Sequence, residues 1–375
     1  MNGPRLLRAL VVLAVLLLGS AAGGSASARS LRTGPLVEHW DGTSWAEVAV
    51  PSGGTGLDAV VAPAATDVWG FGSSGVAVHW DGTSWHRVSL PIPQGSAAPG
   101  ILGAAAVSPD DIWAVGDVSP TNGPTHALIE HWNGSRWQYV PGPPKNAFSL
   151  YGVAALSAKN AWAVGETGVS TATGGGLRTL TIHWNGKAWK RVSSPNPTTS
   201  MTSSASFNDT LAAVAGSSAR DVWAVGQYYV TANGTRGSRS LVLHWDGSRW
   251  KQVRTADPLT PGHASYLYGV AAPSARGVWA VGSVNRHGAG HALAEFWNGA
   301  RWRIVHTAGP PVTGVSALGA NDAWAAGGRS GGGNVMQWNG SAWTVKTKLD
   351  KSHELVAVAE VSPTDVWAVG GSVKH

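Results

Sequence analysis

A closed ring of seven four-stranded antiparallel β-sheets is the fold this sequence predicts, and three observations predict it. A W-[D/N]-G-x-x-W group recurs at Trp40/Trp45, Trp80/Trp85, Trp132/Trp137, Trp184/Trp189, Trp245/Trp250, Trp297/Trp302 and Trp338/Trp343. A DVWAVG-like group recurs around Trp69, Trp113, Trp162, Trp223, Trp279, Trp324 and Trp367, and the two groups together account for all 21 tryptophans. The order of the pieces at the two chain ends is the third observation. Self-similarity at a fixed period is the signature of a repeat architecture, and a helical solenoid would need a 3.6-residue period that is absent here.

Each unit reads as four extended segments, a to d. Segment a begins with an aliphatic residue twelve positions before the second-group Trp: Leu57, Ile101, Leu150, Leu211, Leu267, Val312 and Leu355. Segment b is the VWAVG-like run, c resembles LTIHW, and d resembles AWKRV. Several are continuous apolar runs, the pattern of strands buried on both faces. Asp-Gly or Asn-Gly between c and d signals a tight hairpin, because both residues tolerate positive φ. The a–b connections (SPTD, SAKN, SARD) are short and turn-like. About 50 residues per unit suits a propeller blade. The chain opens with c and d (LVEHW, SWAEV) and closes with a and b (LVAVAEV, DVWAVG). Those ends are expected to pair and complete the last blade, which removes an exposed sheet edge.

Residues 1–28 read as a cleaved signal peptide. Arg5 and Arg8 give a positive start, Ala9 to Leu18 is apolar, and Ala26-Ser27-Ala28 supplies small residues at a cleavage site. That apolar core is about half of a membrane span, so a retained N-terminal anchor is the alternative and no later stretch spans a bilayer. The domain expected is 29–375. The chain has no cysteine, which removes disulfides, thiolate metal sites and a cysteine nucleophile. The net charge of +6 is not gathered into any Lys/Arg run, so a nucleic-acid groove is not indicated.

The unit resembles a kelch-type blade of the galactose-oxidase-like propellers, through the glycine after strand b, an aromatic on c and Trp on d. The kelch glycine pair is present only at Gly327-Gly328 and Gly370-Gly371; the other units have one glycine followed by another residue. The resemblance implies a fold, not an activity. A copper centre of the galactose-oxidase kind needs a Cys-linked Tyr, and this chain has no Cys.

The tryptophans are expected to pack blades together, each burying about 150–250 Å². His39, His79, His131, His183 and His244 precede the strand-c Trp, with Phe296 and Gln337 in the other units. A ring separates them too far to share a metal ion, so no metal site is expected. Asp67, Asp111, Asp221, Asp322 and Asp365 are expected to cap the a–b turn through a backbone N–H. No catalytic set and no cofactor motif is found.

Variation is one-sided. The a–b and c–d turns are constant, whereas b–c and d–a connections differ, with the longest at 165–181, 190–210 and 227–241. A rigid scaffold that varies the loops of one face is how binding sites are commonly presented. Aromatics other than Trp cluster there: Phe148, Tyr151, Phe207, Tyr228, Tyr229, Tyr266 and Tyr268, with Arg236 among the loop cations. Tyr151 and Tyr268 hold the second place of strand a, filled elsewhere by Asp58, Leu102, Ala212, Thr313 and Val356. So varied a position is expected to face the central channel. These eight residues form the candidate ligand surface.

The expectation is a secreted, monomeric, non-enzymatic binding module for a glycan or an extracellular protein. The alternatives are an extracellular hydrolase or lyase at the channel mouth, for which Asp58, Asp209, Asp257 and His263 were the sparse candidates, and a structural surface repeat protein.

Overall fold

Hydrogen bonding in the computed structural model joins 28 strands into seven sheets of four. The structure describes residues 32–373 apart from 143–145, 172–173, 199–207, 233–234, 257–263, 287–288, 308 and 329–331. The proposed signal peptide lies outside the described residues. Blades 1 to 6 each run a-b-c-d in chain order, beginning with Leu57–Ala64, Asp67–Gly72, Ala77–Trp80 and Trp85–Arg87. Blade 7 takes a (His353–Ser362) and b (Asp365–Val373) from one end of the chain and c (Arg32–Trp40) and d (Trp45–Glu47) from the other. Its b and c strands pair antiparallel from Arg32↔Val373 to Trp40↔Val366. The ring is therefore closed by main-chain hydrogen bonds between the two ends.

The 21 tryptophans form seven identical triads, one at each blade boundary. The strand-b indole of one blade lies against the strand-c and strand-d indoles of the next. Trp69 sits 5.0 Å from Trp132 and 5.4 Å from Trp137, and Trp162 sits 4.8 Å from Trp245 and 5.2 Å from Trp250. The closing blade obeys the same rule: Trp324 meets Trp40 and Trp45, and Trp367 meets Trp80 and Trp85. Each strand-b Trp is at most 2% exposed. Burial of this size is worth up to roughly 4–6 kcal/mol per indole. The apolar core is accordingly split into seven clusters, each spanning two neighbouring blades.

Towards the axis the opposite demand rules. Counting strand a from the aliphatic residue that opens each segment a, its third place carries only Gly or Ala: Ala59, Gly103, Gly152, Ala213, Gly269, Gly314 and Ala357. A Cβ at Gly103 would stand 2.7 Å from the Tyr151 carbonyl, and one at Gly314 would stand 2.8 Å from the Ala357 Cα, both on the next blade. The strand-b glycine answers a second crowding. Every strand a is bulged at its second residue, as between Leu57 and Ala59 or Leu150 and Gly152. The bulge presses the preceding carbonyl onto strand b, so a Cβ at Gly116 would stand 1.8 Å from the Gly100 oxygen. Only glycine fits.

Three local expectations are corrected. The c–d connection is a four-residue loop rather than a two-residue hairpin with both residues at positive φ. Asp41 does not adopt positive φ, Gly42 does (94°), and the Asp41 carboxylate accepts the N–H groups of Thr43 and Ser44 at 2.8 Å. Four of the strand-b Asp residues, Asp67, Asp111, Asp221 and Asp365, hold the strand-c histidine rather than capping the turn through a backbone N–H. Asp67 Oδ1 lies 2.7 Å from His79 Nε2 and accepts Trp69 Nε1–H at 2.8 Å, while His79 stacks on Trp69 with centroids 4.1 Å apart. Where Gly277 replaces Asp, Phe296 replaces His and still packs on Trp279. Finally, the long b–c insertions of blades 3 and 4 are not irregular loops. They continue strands b and c as paired ribbons, to Thr171↔Gly174 and Ala232↔Thr235.

A buried carboxyl group disturbs the core of blade 2. Glu130, on strand c of blade 2, is fully buried with neither carboxylate oxygen hydrogen-bonded, and burial pushes its pKa up to about 8. Its counterpart Glu295 accepts the Ala256 N–H at 3.0 Å, six residues after the strand-d Trp250. The sixth residue after Trp85 is Pro91, which has no N–H to give. Because the folded pKa exceeds the unfolded one, this glutamate carries no ionisation penalty below about pH 4.5 and destabilises increasingly as pH rises towards 8.

Two predictions follow from this packing. Gly116→Ala should cost about 3 kcal/mol by chemical denaturation, whereas Gly319→Ala, with open space around its Cβ, should stay within about 0.5 kcal/mol; equal losses would refute the bulge argument. Glu130→Leu should stabilise the protein by about 1–3 kcal/mol at pH 8.5 and much less at pH 4.5, read from thermal melting at the two pH values.

Candidate functional site

The bulge that demands the strand-b glycine also aims a side chain. At each of the seven bulges the residue left out of register is the second of strand a: Asp58, Leu102, Tyr151, Ala212, Tyr268, Thr313 and Val356. All seven line one cavity of about 720 Å³ at the ring axis. Below them the wall is Gly, Ala and Val from the strand-a interiors. Above them the rim is built by Asp117, Glu166 and Ser283, each directly following a strand-b glycine, together with Ser149 from the start of strand a in blade 3.

The rim is acidic. Asp58 accepts the Ser73 hydroxyl at 3.1 Å, and Asp117 accepts the Ser149 hydroxyl at 3.0 Å. Glu166 is 6% exposed and receives the Tyr151 hydroxyl. Burial, with Asp117 adding repulsion, lifts the Glu166 carboxyl to about 7, against the pull of that hydrogen bond. Tyr151 is pushed up in turn by burial and by the neighbouring carboxylate. In blade 5 the Tyr268 hydroxyl lies 3.2 Å from Ser283 Oγ, and Tyr266 stacks parallel to Tyr268 at 6.1 Å. Among the described residues no Lys, Arg or His lines the cavity. Among the described residues no group of three or more His, Asp or Glu is placed to hold a metal ion.

The sequence-predicted residues fall into three sets. Tyr151 and Tyr268 line the cavity, with Tyr266 stacked beside them. Phe148, Tyr228 and Tyr229 do not reach it: the Phe148 ring lies over Gly168 on the blade 3 ribbon, and Tyr228 packs on the blade 3–4 core. Phe207, and the side chain of Arg236, lie outside the described residues. Of the hydrolase candidates, only Asp58 lines the cavity. Asp209 is buried under the blade 3–4 connection, paired with Arg178 at 2.7 Å, and 257 and 263 lie outside the described residues.

Asp117, Glu166 and Ser149 escaped the sequence reading. The signal was present in the incomplete kelch pair. The place after the strand-b glycine is Ser73, Asp117, Glu166, Gln227 and Ser283 in blades 1 to 5, and glycine only in blades 6 and 7. A run of polar side chains replacing glycine at one structural place marks the polar arc of the rim.

No protein-family model matches the chain. No curated protein matches it in sequence. Solved structures resemble it in fold: YCF48 bound to D1 peptide (TM-score 0.52, 14% identity, 85% of this chain and 93% of that chain), the WD40 β-propeller domain of Doa1 (TM-score 0.51, 13% identity, 84% and 90%) and the GH74 enzyme of Niastella koreensis (TM-score 0.52, 13% identity, 84% and 51%). At such identities the likeness is one of fold alone.

Removing the hydroxyl that restrains Glu166 should shift its titration. In Tyr151→Phe the carboxyl should titrate above its present value of about 7, followed by side-chain carboxyl NMR; an unchanged midpoint would show that the Tyr151 hydrogen bond does not hold the rim.

Proposed function

We propose that this chain is a secreted, monomeric, non-enzymatic recognition module, built on kelch-type blades, that takes part of an extracellular partner into the mouth of its central channel. The observation that carries the reading is the cavity itself. Seven otherwise unrelated side chains are aimed into it by one repeated bulge, and a polar arc from consecutive blades completes its rim. A rigid ring with variable side chains at one fixed place suits selective binding. Of the two partner classes raised by the sequence, the carboxylate-rich lining favours a protein segment over a glycan, whose neutral hydroxyls would leave those charges unbalanced. A propeller of the same fold solved bound to a peptide, YCF48 with D1 peptide, supports the choice at the level of fold.

A second reading is favoured by one pair of groups. Glu166, with its carboxyl near 7, beside Asp117 is a combination able to move a proton, so a hydrolase with Glu166 as acid is the competing assignment.

The decisive comparison uses Ala212→Trp, which fills the cavity from one of the seven aimed positions. Pull-downs and glycan arrays with the mature protein should yield a ligand, and Ala212→Trp should abolish its capture while melting as the parent does. Turnover in a hydrolase screen, lost in Glu166→Gln, with no ligand captured, would replace this reading by the second one.

A further inference from the structure

We propose that the channel mouth is a cation site that seats an ammonium or guanidinium group against the Asp117–Glu166 arc and the cavity-lining Tyr151 and Tyr268. The inference rests on the reading of the mouth as the recognition site and names the chemistry it selects.

Three independent features converge. The first is charge: Asp58, Asp117 and Glu166 line the cavity, and among the described residues no basic side chain does. The second is unused hydrogen-bonding capacity. Glu166 Oε2 is buried without a donor. In blade 4, Gln227 holds the register place that Glu166 holds in blade 3, opposite Thr210 as Glu166 is opposite Ser149. It is 1% exposed, and neither its carbonyl oxygen nor its amide nitrogen has a partner. The same place in the flanking blades, Glu166 and Ser283, lines the cavity, and Gln227 itself does not. Buried polar atoms left unpaired cost free energy until something pairs them, and the unpaired Glu166 oxygen belongs to a residue of the cavity lining. A group bringing N–H donors would satisfy it. The third is aromatic: Tyr151 and Tyr268 line the same cavity, and a ring face attracts a cation and not an anion.

A bare divalent ion fits less well. Hard cations need several oxygens within one coordination sphere, and no such set converges among the described residues. An organic cation spreads its donors over a longer reach, as the arc does. The repulsion that Asp117 exerts on Glu166 would be relieved by the same group. Ammonium and guanidinium can arrive on a Lys or Arg side chain of a partner protein or on a free polyamine; the chemistry is shared, and the test separates the sources.

The experiment is isothermal titration of the mature protein with tetralysine, with spermidine and with tetra-acetyl-lysine, repeated on Asp117→Asn/Glu166→Gln and on Ala212→Trp. Binding of a charged probe is expected to weaken at least about tenfold on acetylation and at least about tenfold in the double variant, whose melting temperature should not fall. Tetralysine without spermidine would indicate a side chain of a protein; spermidine without tetralysine would indicate a free polyamine. Equal affinity for the acetylated peptide, unchanged affinity in the double variant, or no binding of either charged probe overturns the proposal. If a ligand captured by the parent is lost in Ala212→Trp but retained in the double variant, recognition at the mouth stands and the cation assignment falls. If Ala212→Trp retains it, both fall.

Discussion

A blade in a closed ring must be thin at the axis and thick at the rim, and nearly everything in this chain answers that one demand. The inner strands come so close that Gly or Ala alone is admitted two places into strand a. The outer ends stand far enough apart that three indoles are needed to fill each gap. The extremes depend on each other, because loss of the outer filler would let the blades hinge and loss of the inner thinness would stop them meeting. Charged residues, only 13% of the chain, have little place in such a structure except at turns, at the rim and at the two ends of the channel.

The same demand explains why the architecture was readable and the site only partly so. The tryptophan spacing, the aliphatic start of strand a and the split of blade 7 between the chain ends are all consequences of identical packing repeated seven times, and repetition is visible in one sequence. The variable second place of strand a was visible too, as a break in that repetition, and it leads to Tyr151 and Tyr268. Asp117 and Glu166 were harder to see. They stand beside the most uniform residue of the blade and look like an imperfect motif until the register shows which way they point. Phe148 and Tyr228 misled for the converse reason. Aromatic clustering does not distinguish a ring that covers its own ribbon from one that awaits a ligand.

The five His–Asp or His–Asn pairs illustrate the limit of residue type as a guide. A histidine 2.7 Å from a carboxylate is a familiar catalytic element, yet here it recurs around the perimeter, stacked on a buried indole. Its work is to tie strand c to strand b outside the apolar core, and Phe296 on Trp279 shows that packing alone can stand in for it. The buried Glu130 makes the complementary point. One proline in a connection removes the donor that Glu295 enjoys, so near-identical blades tolerate local misfit when six others hold the ring.

The pairing of Arg32 with Val373 has a spatial corollary. In blade 7 the first strand begins and the last strand finishes where the other blades place their b–c ribbons, on the side from which the acidic opening is approached. Arg32 and Val373 therefore lie at the same end of the ring as that opening, so the closure of the ring and the mouth of its channel share one side.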